Sequence, residues 1–319
     1  MLTGGLAAGL VGESYWLPIE QGKVREFARA TKAADTRFWS EPAPFLPPTF
    51  LVTSAFWLRP GSWVLARADL DWARLLSGGS QFTFTGAPLR AGESLTATQR
   101  VDDVFRKQGR RGGDMTFVVF TTTFVRPDGT VAARERHTTI ETGRPAARPV
   151  GPAGLRAGSG PHGTPASPVP APARLAAVPG GPAGLRAGDL LPPLVDAPVS
   201  VTDIVRYQGS SGDMNPIHHD PDVARSAGFP GVFSVGMLHA GILGSYIGDL
   251  FGPEHVRRFG AEFRQQVWPG DVLTYRGRVS ERRDDPGGAS AELDLSLTAT
   301  RHLGGEHLRA SATVMVDSG

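Results

Sequence analysis

Ser211 to Asp220, read Ser-Gly-Asp-Met-Asn-Pro-Ile-His-His-Asp, place a carboxylate, Asp213, five positions ahead of an imidazole, His218. Asn215 and Pro216 fix the turn between them. Such a pair can orient or deprotonate a water while exchanging a carbon-bound proton, which is the equipment for adding or removing water. Thr202 can cap a short helix running towards Gly209, so Asp213 falls just past its end. Asp220-Pro221 starts another helix, with Asp as cap and Pro at the first helical position, and Gly228 can end it. The dyad therefore sits on a tight loop between two short helices, where chemistry is commoner than packing. On spacing alone, Asp-x-x-x-x-His on a polar loop is more often a turn carboxylate and a solvated histidine.

The continuation changes that balance. Gly228-Phe229-Pro230-Gly231-Val232-Phe233-Ser234-Val235-Gly236-Met237-Leu238-His239-Ala240-Gly241 follows the first motif at a defined gap. Together the two stretches resemble the MaoC-like hydratase family, with its Gly-Asp-x-Asn-Pro-(Ile/Leu)-His and, about twenty residues on, a His-Gly-Met-Leu helix start. Val235 stands where that family commonly has the histidine. The resemblance implies a hotdog fold and R-specific hydration of 2-enoyl thioesters, or dehydration of 3-hydroxyacyl thioesters, on coenzyme A or an acyl carrier protein. It implies Asp213 and His218 as the reacting pair, the Gly236 backbone amide as oxyanion donor, and Asn215 and Ser234 as loop support. No cofactor is expected beyond the phosphopantetheine of the substrate, and no metal, since His218 and His219 are adjacent and point apart. A hotdog thioesterase, directing water at the carbonyl, and a non-catalytic acyl-binding or pairing subunit remain open.

A chain of 319 residues suits two domains, each large enough to bury its own core. Hydrophobic content of 40% with 20% charge is ordinary for a globular protein, and the net charge is only +2. The richest basic cluster, Arg106-Lys107-Gln108-Gly109-Arg110-Arg111, reads as a solvated strand end, or as a greeting for coenzyme phosphates. It lacks the stripe with stacking aromatics that nucleic-acid binding needs. With no cysteine, disulfides, thiolate nucleophiles and zinc-thiolate sites are excluded. No apolar run is long enough to span a membrane. The opening residues lack a basic n-region and reach Glu13 quickly, so a cytoplasmic protein is expected, and a homodimer.

Residues 144–190 are dominated by Gly, Pro and Ala, with the octet Gly-Pro-Ala-Gly-Leu-Arg-Ala-Gly at 151–158 and again at 181–188. This reads as a flexible or polyproline-like linker. It divides the chain into 1–143, 144–190 and 191–319. Both flanks carry a strand, a Gly-acidic turn and another strand: Gln81–Phe84 then Leu89–Val101, and Phe263–Val267 then Trp268–Val279. Long alternating segments follow at 114–125 with 130–141, and 290–301 with 306–316, closed by Pro127-Asp128-Gly129 and Gly304-Gly305. Met237–Leu250 is apolar all round with Gly241, Gly244 and Gly248 interspersed, so it predicts a buried helix over which a sheet closes tightly.

Val24–Trp39, Leu46–Phe50 and Gly109–Val119 resemble the dehydratase-like N-terminal domain of fused family members. No dyad survives there, because the position five after Asp35 is Ser40. The first half is therefore expected to be scaffold and pocket wall. The expected fold is α+β, a double hotdog of two curved antiparallel sheets, each wrapped around a central helix.

Overall fold

A computed structural model describes residues 5–39, 42–71, 74–109, 113–142 and 176–317. The first half contains β1 (Tyr15–Pro18), α1 (Gln21–Ala30), β2 (Leu75–Phe84), β3 (Ser94–Gln108), β4 (Asp114–Val125) and β5 (Val131–Glu141). The second contains β6 (Leu194–Val195), α2 (Val201–Ser211), α3 (Pro221–Ser226), α4 (Gly236–Phe251), β7 (Val256–Phe263), β8 (Leu273–Asp284), β9 (Ser290–Arg301) and β10 (Glu306–Asp317). Alternating burial along β8, β9 and β10 gives each strand one apolar face, as a half-buried antiparallel sheet requires.

The strands form one antiparallel sheet in the order β1-β3-β4-β5-β2-β7-β10-β9-β8-β6. The seam between the halves is the pairing of β2 with β7, from Gly79↔Glu262 to Thr83↔Arg258. A Cβ on Gly79 would lie 2.5 Å from the Ala261 carbonyl oxygen, so only glycine lets the strands approach there. One apolar core runs through both halves, from Leu17 and Phe27 to Leu308 and Val314.

The glycines of α4 act differently from the expectation. They do not chiefly receive the sheet; they receive the helical layer of the first half. A Cβ on Gly241 would meet Thr31 Cγ2 at 2.6 Å, and one on Gly248 would meet Phe38 Cζ at 2.6 Å. Pro48 and Thr49 press against Gly244. Polar ties reinforce this contact: Ser245 Oγ donates to Thr31 Oγ1 at 2.9 Å, and the Asp249 carboxylate accepts from the Ala34 and Asp35 amides. Lys32 reaches Asp196 at 2.7 Å. The second half thus supplies a 16-residue helix. Its first-half counterpart is short, with α1 and a 3₁₀ stretch, Phe50–Trp57, behind Pro47-Pro48. Proline disfavours α conformation in the residue before it, and α4 already occupies the shared interior.

Three local expectations are corrected. Ser200, not Thr202, caps α2 through a capping box with Asp203, and Gly212 at φ +81°, not Gly209, ends the helix. Strand β7 ends at Phe263 rather than beginning there, because the Val267 carbonyl accepts from Ser234 N at 2.7 Å instead of a neighbouring strand. The expected linker is folded from 176 onward. Val178 and Leu185 are buried, Gly188 N donates to Val279 O at 2.8 Å, and Arg282 Nη1 donates to the Ala183 and Leu185 carbonyls. Strand β8 offers unpaired backbone, and the second octet takes it. The first octet, 151–158, lies outside the described residues.

Gly79→Val is expected to lower stability by about 1–3 kcal/mol, since a backbone carbonyl cannot move aside. Gly209→Ala, where an added methyl meets open space, should instead raise it by about 0.4–1 kcal/mol. Urea midpoints measure both, and an unchanged midpoint for Gly79→Val would show that the seam is not tight.

Candidate active site

The loop after α2 is built by backbone rules before any chemistry enters. Asn215 Oδ1 accepts from Ile217 N at 3.2 Å and caps the 3₁₀ turn Pro216–His218. Asp213 Oδ1 accepts from Asn215 N at 3.2 Å, which aims the carboxylate across the turn. Asp220 then caps α3 through the amides of Asp222 and Val223, with Pro221 at the first position, as expected. Gln208, a buried side chain on α2 that sequence reasoning did not single out, holds the whole loop. Its Nε2 donates to the Asp213 and Asn215 carbonyls at 2.8 and 3.0 Å, and its Oε1 meets His219 Nδ1 at 2.9 Å.

His218 is buried, and its Nδ1 lies 2.8 Å from the Phe233 carbonyl. A carbonyl only accepts, so Nδ1 carries the proton and Nε2 presents a lone pair. The Phe233 ring meets the imidazole edge-on at 4.9 Å. Burial lowers the His218 pKa, while the charge of Asp213 and the Phe233 hydrogen bond act in the opposite sense. His218 and His219 do point apart, the latter towards Gln208.

Gly236 is the first residue of α4, and no side chain caps that end. Its amide is one of the donors a helix start leaves open, where the helix dipole also favours negative charge. A Cβ there would meet the Phe263 ring at 3.0 Å. Ser234 Oγ lies 2.9 Å from His239 Nε2, and His239 Nδ1 lies 3.1 Å from the Tyr275 hydroxyl, a buried chain that fixes the approach to α4. Burial holds the His239 pKa well below the ordinary value. Val235, buried at the N-cap, adds an apolar wall.

Asp213, Asn215, His218, Ser234 and Gly236 line one cavity of about 690 Å³. Its opposite wall comes from the first half, including Trp63, Phe120, Thr122, Glu135 and His137. Glu135 and His137 were not anticipated, since an alternating strand offers no sign that two inward positions are polar for a reason. Asp35 lies elsewhere, with its carboxylate paired to Arg37 at 2.6 Å. Of the basic cluster at 106–111, Lys107 lies over the Phe105 and Phe117 rings, and 110 and 111 fall outside the described residues. Among the described residues, no three metal-ligating side chains converge, and no helix is long and apolar enough to cross a membrane.

The His218 imidazole is expected to titrate below the ordinary value of about 6.5. Asp213→Asn should lower it further, because the lost carboxylate was favouring the imidazolium. Nitrogen-detected NMR of the ring reads both, and a titration at or above the ordinary value would overturn this picture of the pair.

Comparison with known proteins follows the same division. Residues 9–135 match the family described as FAS1-like, dehydratase domain region, and residues 191–298 match the MaoC like domain. No curated protein matches the sequence significantly. Among solved structures, a MaoC-like dehydratase superposes with a TM-score of 0.74 at 21% identity, over 96% of this chain and 98% of its own. The peroxisomal multifunctional enzyme type 2 of Drosophila melanogaster gives 0.62 at 20% identity, over 95% of this chain and 48% of that longer one. A Mycobacterium tuberculosis protein described as having a double hotdog fold gives 0.62 at 14% identity, over 98% of this chain and 97% of its own. At these identities the likeness shows the fold, which is α+β and double hotdog. With the two family matches covering most of its length in succession, the chain is a two-domain MaoC-like protein.

Proposed function

We propose that this protein is a hydro-lyase that interconverts 2-enoyl and (3R)-hydroxyacyl thioesters carried on coenzyme A or an acyl carrier protein. The observation that carries this reading is His218, its Nδ1 held at the Phe233 carbonyl and its imidazole feeling the charge of Asp213, sharing one cavity with the side-chain-uncapped start of α4.

In the hydration direction, the thioester carbonyl accepts from the Gly236 amide. As water adds at C3, that oxygen gains negative charge, and one such fixed donor is worth about 3 kcal/mol. The Asp213 carboxylate accepts one hydrogen of the water and orients it. His218 Nε2 takes the other as the C3–O bond forms, and the electron pair of the double bond moves towards the thioester. The imidazolium, stabilised by Asp213, then returns that proton to C2. Both residues end unchanged, and the water's oxygen and proton arrive on the same face, giving syn addition. Burial favours the neutral imidazole that this cycle needs at its start. The MaoC-like family resemblance further supports an R-configured product; a cytoplasmic setting and a homodimer belong to the same proposal.

Asp213→Ala and His218→Ala should each reduce hydration of crotonyl-CoA by about 10²–10⁴-fold, with an intact fold by circular dichroism. Loss of the enoyl-thioester absorbance measures the rate, and an Asp213→Ala enzyme at the parent rate would sink the assignment. Gln208→Leu touches no substrate, yet it should lower kcat roughly ten- to a hundredfold by misplacing the loop, with KM little changed.

A further inference from the structure

The inward face of the first sheet changes character along the cavity. One cross-strand row is apolar, Ala97–Phe124–Ala133–Phe84. The next row along the same face reads Gln99–Thr122–Glu135, and the one after sets His137 between Phe120 and Ser80. Gln99, Thr122 and Glu135 are all buried, although a sheet face turned inwards would ordinarily be apolar.

Gln99 Oε1 accepts from Val64 N at 3.3 Å, whereas Glu135 is held only at long range. Ser80 Oγ lies 2.6 Å from His137 Nδ1 but only 3.5 Å from Glu135 Oε1. Among the described residues, no cation pairs with Glu135, and His137 Nε2 makes no hydrogen bond. Burial pushes the Glu135 carboxyl up to about 7 and the His137 imidazole down to about 4. Tyr207, fully buried on α2, also lines the cavity, with Ser211 beside its hydroxyl. That hydroxyl feels the charges of both Asp213 and Glu135, so it stands between the loop and this cluster. A hydrocarbon tail pushed into this end would strip water from a carboxyl and an imidazole and return nothing.

We infer that the acyl chain accepted here carries a hydroxyl on its distal part, donating to Glu135 and accepting from or donating to His137 at the first-half end of the cavity. This specificity rests on the hydro-lyase reading of the site. A tail carboxylate is disfavoured, because Glu135 has no cation to offset a second negative charge.

The test uses the full-length protein with trans-2-octenoyl-CoA, its counterparts hydroxylated at successive carbons of the distal half, and a tail-carboxylated counterpart. At least one hydroxylated chain should exceed the plain chain in kcat/KM by about tenfold, equivalent to about 1.4 kcal/mol. Glu135→Leu should erase that preference, and Glu135→Gln, which keeps an acceptor, should retain most of it. If the plain or carboxylated chain equals or betters every hydroxylated one in the parent protein, the inference falls, whether or not the variants fold. Crotonyl-CoA carries no tail hydroxyl, so its hydration reads the hydro-lyase reaction alone. Its failure to turn over would overturn the hydro-lyase reading, whereas its turnover without a tail preference would overturn only the inference drawn from Glu135.

Discussion

The site depends on how α4 is held. Its glycine face accepts Thr31 and Phe38 from the other half at distances no larger side chain would allow, so the helix cannot slide or rotate without breaking the shared core. Four consecutive residues, Phe233 to Gly236, lead into it. They carry the carbonyl that sets the His218 tautomer, the hydroxyl that engages His239, and the amide at the helix start. The His218 imidazole and the Gly236 amide are thereby referred to one short piece of backbone, and their spacing is fixed by covalent geometry as much as by packing.

Burial then sets the protonation states. His218, His239 and His307 all have lowered pKa values, and burial is the leading cause for each. Neutral imidazoles in a dry interior can accept protons and order hydroxyls without the desolvation cost of a fixed charge. The Asp213 carboxylate on the loop is only part-buried, and the Asn215 amide orders it.

The halves divide the work. The second contributes the loop, the helix start and His218. The first contributes a wall, a seat for α4 and the polar row around Glu135. Joining β2 to β7 makes this division structural, because a single sheet carries the wall and the strands around α4 in one frame. A half without an Asp-x-x-x-x-His pair in this way still walls the cavity.

Much of the local structure was legible because it is decided by neighbours in sequence. Asp220-Pro221 had to start a helix, Gly129 and Gly304 had to turn a chain, and the alternating runs at 114–125 and 290–301 had to be strands; the structure shows each. Asp213 and His218 were legible for the same reason, five residues apart on one turn. Capping was misplaced by two residues because Thr202 and Ser200 differ only in which amide their hydroxyls reach.

What the sequence alone determined, then, was the set of elements and the placing of Asp213 and His218 on one turn, since interactions within a few residues specify both. The tertiary structure decided that the α4 glycines face the other half, that Gln208 braces the loop, that the second octet straps β8, and that Glu135 and His137 share a cavity with residues about eighty positions away. Those outcomes depend on contacts between distant segments. Their energies arise only once the chain has closed, and no pattern of neighbouring residues encodes them.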